Sequence, residues 1–340
     1  MKKILIVGAG FAGAVIARQL TDAGGYQVMV VDRRTHIAGN CYDYVNEHGI
    51  RVHQYGPHLF HTNNEKVFDY LSRFTNWYEY KHKVKALHKD KFYVMPPNRD
   101  TAKVFSKQEI INIFYAPYTK KMWGLPIEEL NPDIINRVAI RDDDNTLYFP
   151  NDDYQVLPEN GYTSLFENLL KGIKVVTQCE FDRSMEQYFD HVFLSMPIDE
   201  YFDNKLGFLP YRGIKFENIN LYTQQYQPTP VINFTTYTGP TRCTEWKHLM
   251  KSDPSNEWTT LTYEFPFEAI ETKDYFYPVK DIDGRNAELY KEYQKKAAEN
   301  PKITFIGRCG TYQYLDMHQV INQSLQIAEK FLRGESYYGR

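Results

Sequence analysis

The chain has 340 residues, 42% hydrophobic and 24% charged, an ordinary globular composition for about two domains. Its 40 basic and 43 acidic residues leave a net charge of −3, which sets up no field for nucleic acid or an anionic membrane. No apolar run approaches the ~18 residues of a membrane span. The four cysteines, Cys41, Cys179, Cys243 and Cys309, stand far apart. They offer no zinc spacing, so no metal site is expected, and they fit a reduced cytoplasmic compartment.

Residues 3–7 (KILIV) predict a buried parallel strand, followed by Gly8-Ala9-Gly10-Phe11-Ala12-Gly13. Residues 14–20 predict a helix ended by Gly24-Gly25, and 27–31 (QVMVV) a second strand closed by Asp32. Helical spacing covers 63–73 and 107–122, while Asn98 to Thr101, after Pro96-Pro97, reads as a loop. Residues 137–158 read as a long loop or an irregular strand pair, and such loops are often functional. Residues 164–171 look helical, and 173–177 and 191–195 look like strands returning to the first sheet. Antiparallel strands are expected over 213–265, a charged helix over 285–299, a buried strand over 303–307 and a last helix over 317–333. Both ends of the chain then belong to one α/β domain, with the middle inserted into it.

Gly8, Gly10 and Gly13 satisfy GxGxxG, which is weak by itself. Here it follows a strand, opens a helix and precedes Asp32, which is the context of a dinucleotide site. The helix N-terminus suits a pyrophosphate, and Asp32 suits ribose hydroxyls. Arg33-Arg34 and the Ala38-Gly39-Asn40 turn resemble the longer fingerprint of FAD-binding flavoproteins rather than an NAD site. Gly307-Arg308 and the segment Asp316-Met317-His318-Gln319-Val320 would supply their closing strand–turn–helix. FAD is therefore the expected cofactor.

Five segments resemble the UDP-galactopyranose mutase family, in family order. They are Tyr55-Gly56-Pro57-His58-Leu59-Phe60-His61-Thr62, Tyr118-Thr119-Lys120-Lys121-Met122-Trp123-Gly124, Pro197 to Asp203, Val231 to Thr235, and Tyr312 to Val320. The resemblance covers nearly the whole chain. It implies an α/β (α+β overall) fold with a Rossmann-like FAD-binding domain from 1–72, 159–212 and 295–340. A small helical domain (73–136) and an antiparallel β-sheet domain (213–294, with a mobile loop over 137–158) would be inserted into it.

By the same resemblance, Trp123 lies at the uracil end of a UDP-sugar, with Phe114 and Thr119 as further nucleotide contacts. Arg137 and Arg242 match the two arginines that clamp the diphosphate, a role suited to charge-assisted hydrogen bonds. Tyr148, Tyr277 and Tyr314 match tyrosines that bind the diphosphate, and Asn233 one that contacts substrate. His58 and Leu59 lie in the flavin-contacting turn; His61, nearby, is either part of that site or a hydrogen-bonded core residue. Arg308 and Leu315 complete the flavin set, together with Gly8, Gly10, Ala12, Gly13, Asp32, Arg33, Asn40 and the run Asp316 to Val320.

The implied reaction interconverts UDP-galactopyranose and UDP-galactofuranose. Reduced flavin attacks the anomeric carbon through N5, so UDP leaves and the ring can open. The cofactor carries the difficult step, so no protein nucleophile is expected. His82 stands where the family has a substrate-contacting asparagine, and Ala38 replaces a glycine, a small change if its φ is negative. Only about 20 residues separate Asn98 from Tyr118. This shortening removes much of the segment that many family members use for a homodimer. Two classes compete with a UDP-galactose mutase: the same chemistry on UDP-N-acetylgalactosamine or dTDP-fucose, and an amine-oxidase-like flavin oxidoreductase. A non-catalytic nucleotide-sugar binder is a third.

Overall fold

The structure, a computed structural model, describes residues 1–129, 140–249, 255–279, 281 and 283–335. Lys2–Val7 is buried at its last four positions because it lies in the middle of a parallel sheet. The order is Lys174–Val176, Tyr26–Val31, Lys2–Val7, His191–Leu194, Ile303–Phe305, and every pairing is parallel. Side chains alternate between its faces. Ile4 and Ile6 meet Ile16 and Leu20 of the helix Phe11–Ala23, and Ile321 and Leu325 of the helix Met317–Leu332. Leu5 and Val7 share the opposite face with Tyr201, Phe202 and Tyr293. The two ends of the chain thus build one Rossmann-like layer, as the sequence implied.

The inserted part is a seven-stranded sheet, ordered Tyr277–Pro278, Tyr211–Tyr222, Trp258–Ala269, Arg242–Glu245, Val231–Phe234, Val84–His88, Lys91–Met95. Its pairings are antiparallel except for Val231–Phe234, which runs parallel to Val84–His88. A smaller sheet places Tyr154–Pro158 between Phe60–Thr62 and Trp77–Glu79.

The expected helical segment 73–136 therefore needs correction, because Trp77–Glu79, Val84–His88 and Lys91–Met95 are strands. The reason is local. VKALH and KFYVM meet at a two-residue turn, Lys89-Asp90, with φ of 47° and 61°. Two left-handed residues match the twist of a hairpin. The Asn98 loop is also corrected. Asn98 is buried and caps the short helix Arg99–Ala102 by accepting from the Thr101 N–H. Helix does follow at Lys107–Ile110 and Ala116–Trp123, joined by a wider turn at Ile111–Tyr115. Residues 140–153 are irregular and lead into the strand at Tyr154. Among the described residues no helix is long and apolar enough to cross a membrane.

Asp43 ties the first layer to the helix Gly161–Leu169. Its carboxylate is 2% exposed and accepts from the Tyr162 and Thr163 N–H groups at 2.9 and 2.8 Å, at the helix's positive end. Asp43→Asn turns one acceptor into a donor facing an N–H. A loss of about 2 kcal/mol in urea unfolding is expected, with far-UV circular dichroism unchanged.

Candidate active site

The first cleft lies at the carboxyl ends of the parallel strands, where α/β sheets bind ligands. Its volume is about 270 Å³, and its walls include Gly8, Gly10, Ala12, Asp32, Ala38, Asn40, Arg308 and Met317. Gly8 has φ 104°, and a Cβ there would lie 1.9 Å from Ser195 Oγ; one on Gly13 would lie 2.0 Å from the Gly8 carbonyl. Only glycine lets the Ser195 side chain approach at Gly8 and the Gly8 carbonyl approach at Gly13. No side chain caps the first turn of Phe11–Ala23, so its N–H groups remain for a ligand. Asp32 is 8% exposed and accepts from the N–H groups of Ala9 and Arg34 at 2.7 and 2.9 Å. Each carboxylate oxygen keeps a lone pair for a hydroxyl. This cradle fits a dinucleotide: close backbone and a helix N-terminus for the pyrophosphate, and an acid for the ribose.

Of the sequence-predicted cofactor residues, Gly8, Gly10, Ala12, Asp32, Arg33, Asn40, His58, Arg308, Leu315, Met317 and Val320 line this cleft. Gly13 stands behind it as a packing glycine. Leu59 and Asp316 open instead on the second cavity. His318 and Gln319 face a separate polar surface cleft, Gln319 being used to cap the helix by accepting from the Asp316 N–H at 2.8 Å. The condition set on Ala38 fails: its φ is +72°, and it is 1% exposed. The turn that brings Gly39 against Gly10 requires this left-handed conformation, and alanine adopts it at a strain cost.

The second cavity holds about 160 Å³ and shares His58, Phe276, Arg308 and Met317 with the first. Sheet register explains its polar wall. Asn233 is directly opposite Arg242, Arg242 opposite Glu264, and Glu264 opposite Phe216, so all four side chains leave one face. Arg242 Nε lies 2.8 Å from Glu264 Oε1, and Glu264 is 1% exposed. Burial opposes the charge of Arg242, but Glu264, with Tyr118 and Tyr277 beside it, outweighs burial and holds its pKa above the usual value. Burial raises the Glu264 carboxyl, and Arg242 pulls it back part of the way.

Arg308 Nη2 donates to the Leu315 carbonyl at 2.6 Å, and its guanidinium lies over the rings of Tyr277 and Tyr314. Tyr118, Tyr148, Tyr277 and Tyr314 line the cavity, and burial raises the pKa of the first three, so their hydroxyls remain donors. Burial, then the positive groups nearby, pushes His58 and His82 down to about 3, so both rings are neutral. The cavity thus combines two guanidiniums, five phenols, counting Tyr55, and three imidazoles, counting His61, a set that suits a phosphorylated polyol.

Three predicted nucleotide contacts lie elsewhere. Phe114 is 3% exposed and packs into a core of Val84, Met95 and Val231. Trp123 is 8% exposed and lies behind the cavity wall, tilted against Tyr277 and Tyr314 at 6.2 and 5.9 Å. Thr119 is half-buried on Ala116–Trp123 and does not line the cavity. Arg137 lies outside the described residues. Sequence reading missed Tyr118, although it opens the quoted Tyr118-Thr119 motif. It also missed Lys121, whose Nζ donates to the carbonyls of Phe234 and Pro240 and so ties the helix to the Arg242 hairpin. Glu264 went unnoticed because only register reveals it.

A Rossmann sheet whose dinucleotide cleft adjoins a cavity lined by two arginines suits a dinucleotide-binding protein with an anionic ligand. A family described as NAD(P)-binding Rossmann-like domain matches residues 6–74, and one described as UDP-galactopyranose mutase matches 113–314. The chain is 34% identical to the probable UDP-galactopyranose mutase of Klebsiella pneumoniae, over 97% of this chain and 95% of that one. It is 31% identical to the dTDP-fucopyranose mutase of Escherichia coli, over 98% and 99%. A solved structure of reduced UDP-galactopyranose mutase shares the fold, with a TM-score of 0.76 at 16% identity, over 99% of this chain and 96% of that one. The chain belongs to the UDP-galactopyranose mutase family and is an isomerase. The Klebsiella alignment runs over 370 positions, so that relative carries residues this 340-residue chain lacks.

Two stability measurements test the site's construction. Ala38→Gly should change unfolding free energy by no more than about 0.5 kcal/mol, because relieved strain offsets the lost methyl; Ala14→Gly, inside a helix, should cost about 2 kcal/mol. Glu264→Ala should cost about 1–2 kcal/mol, since the guanidinium it leaves unpaired is 26% exposed. Adding Arg242→Ala should cost less than the sum of the single changes in a double-mutant cycle.

Proposed function

We propose that this chain interconverts UDP-galactopyranose and UDP-galactofuranose, with FAD in the first cleft and the UDP-sugar in the second. The observation that carries the reading is the wall the two cavities share, His58, Phe276, Arg308 and Met317. A sugar in one cavity would then lie against a ring system in the other. Bound and reduced, the flavin supplies a nucleophile for the anomeric carbon, in a covalent scheme with no net redox change.

The chain's own residues have separate tasks. Arg242, held by Glu264, retains the diphosphate while it is detached, and Arg308 adds a second charge. Tyr148, Tyr277 and Tyr314 donate hydrogen bonds without adding charge, and Asn233 reads substrate beside Arg242. Arg137 is proposed as the further clamp on the strength of the family resemblance. Neutral His58 and His82 keep the sugar end free of competing cations. A cytoplasmic location belongs to the same proposal, supported by four cysteines that are all thiols.

A second reading, a mutase for dTDP-fucose, is favoured by the similarity to the Escherichia coli enzyme. Anaerobic incubation of flavin-loaded protein with UDP-galactofuranose and, in parallel, dTDP-fucofuranose separates the two by chromatography. Dithionite-reduced protein should convert the UDP-sugar at least tenfold faster, and the oxidised control should be inactive. Faster conversion of the dTDP-sugar would select the second reading, and no conversion of either would reject both.

A further inference from the structure

His61 has no part in the roles given above. Its strand, Phe60–Thr62, pairs antiparallel with Tyr154–Pro158, placing Thr62 opposite Tyr154. Phe60 and Thr62 are buried on one face, so His61 projects from the other, where it lines the second cavity. The same pairing brings Asp152 alongside. His61 Nδ1 donates to Asp152 Oδ2 at 2.6 Å, across 91 residues of sequence.

Asp152 is itself held in place. Asn63 Nδ2 donates to its Oδ1 at 3.4 Å, and Gln155 Nε2 to its carbonyl at 3.2 Å. Phe149 stacks on the imidazole at 3.6 Å and 12°, and His318 meets it edge-on at 5.9 Å. Because the carboxylate accepts at Nδ1, Nε2 is the nitrogen left to take or give a proton, and among the described residues it has no hydrogen-bond partner. A ring fixed on both its face and its edge, backed by an acid and bordering a cavity, has the build of a general acid–base.

We propose that His61 is the catalytic acid–base of the ring exchange and that Asp152 is its positioning residue; this rests on the mutase reading. Pyranose and furanose have the same composition, so the conversion requires one proton to move. The C1–O5 bond breaks, its electron pair leaves with O5, and O5 takes the proton from Nε2. The electron demand at C1 is met by the group that displaced UDP, until O4 closes on C1. The C1–O4 bond then forms, and the O4 proton passes to Nε2, restoring the protonated ring. No electron is gained or lost, and the reverse reaction uses the same steps.

Positional isotope exchange separates this step from UDP release. UDP-galactopyranose labelled with ¹⁸O in the bridge to C1 scrambles its label whenever that bond breaks and re-forms, whether or not the ring changes size. With reduced, flavin-loaded His61→Gln, furanose formation should fall about a hundredfold or more, while scrambling and UDP affinity stay within about threefold of the unmodified enzyme. Asp152→Asn should show the same split, about tenfold, with KM unchanged, and decides the matter if His61→Gln fails to bind UDP. Furanose formation within about threefold of the unmodified enzyme would overturn the proposal. So would scrambling that falls in step with it while UDP still binds. Failure of the unmodified enzyme to scramble label or form furanose would instead sink the mutase reading itself.

Discussion

The Arg242–Glu264 pair is the constraint on which the second cavity depends. It joins two neighbouring strands of the large sheet, and register places Asn233 on one side of it and Phe216 on the other. The carboxylate of Glu264 is buried while Arg242 is 26% exposed, so it is the acid that would be stranded without its partner. Their geometry therefore fixes where the cavity's positive charge points. Lys121 strengthens this from the opposite wall: its ammonium bridges two carbonyls of the hairpin that carries Arg242, and burial pulls its pKa down to about 8.

The rest of the cavity surrounds that charge mainly with groups that carry none, Asp316 being the acid on its wall. Neutral His58 and His82 and the phenols surround two guanidiniums, and all are supplied by elements far apart in sequence. Hydrogen-bond donors with no formal charge can hold an anion without a heavy desolvation cost. The first cleft works differently, through backbone. Its polarity comes from a helix N-terminus and from glycines that let main chains approach, and Asp32 is its main acid on the ribose side.

This contrast decides what could be read in the sequence. The first cleft was legible because its requirements are local: a strand, three glycines, a helix and an acid within one βαβ unit. The parallel sheet was legible for the same reason, since KILIV and ITFIG are buried on both faces. The second cavity was only partly legible. Its arginine and tyrosines came from family resemblance, but their arrangement depends on strand register, which no single segment specifies. Trp123 and Phe114, expected at the nucleotide, pack outside the cavity lining, because an aromatic side chain in a motif does not say whether it lines a cavity or supports its wall. His61 and Asp152 meet through a pairing between distant strands, and Ala38 holds a backbone angle that its side chain would not suggest.

The way the chain closes its first sheet also bears on how the protein is made. Ile4 pairs on one side with Val28, close in sequence, and on the other with His191, and the strand beyond that begins only at Ile303. The helix that covers their shared face ends at Leu332. Loop closure must be met before such contacts reward it, so this layer cannot close until nearly the whole chain has been made. For most of its time on the ribosome, the chain presents an apolar strand edge and an uncovered face, the exposure that chaperones recognise. The N-terminal strand is made first and finished last.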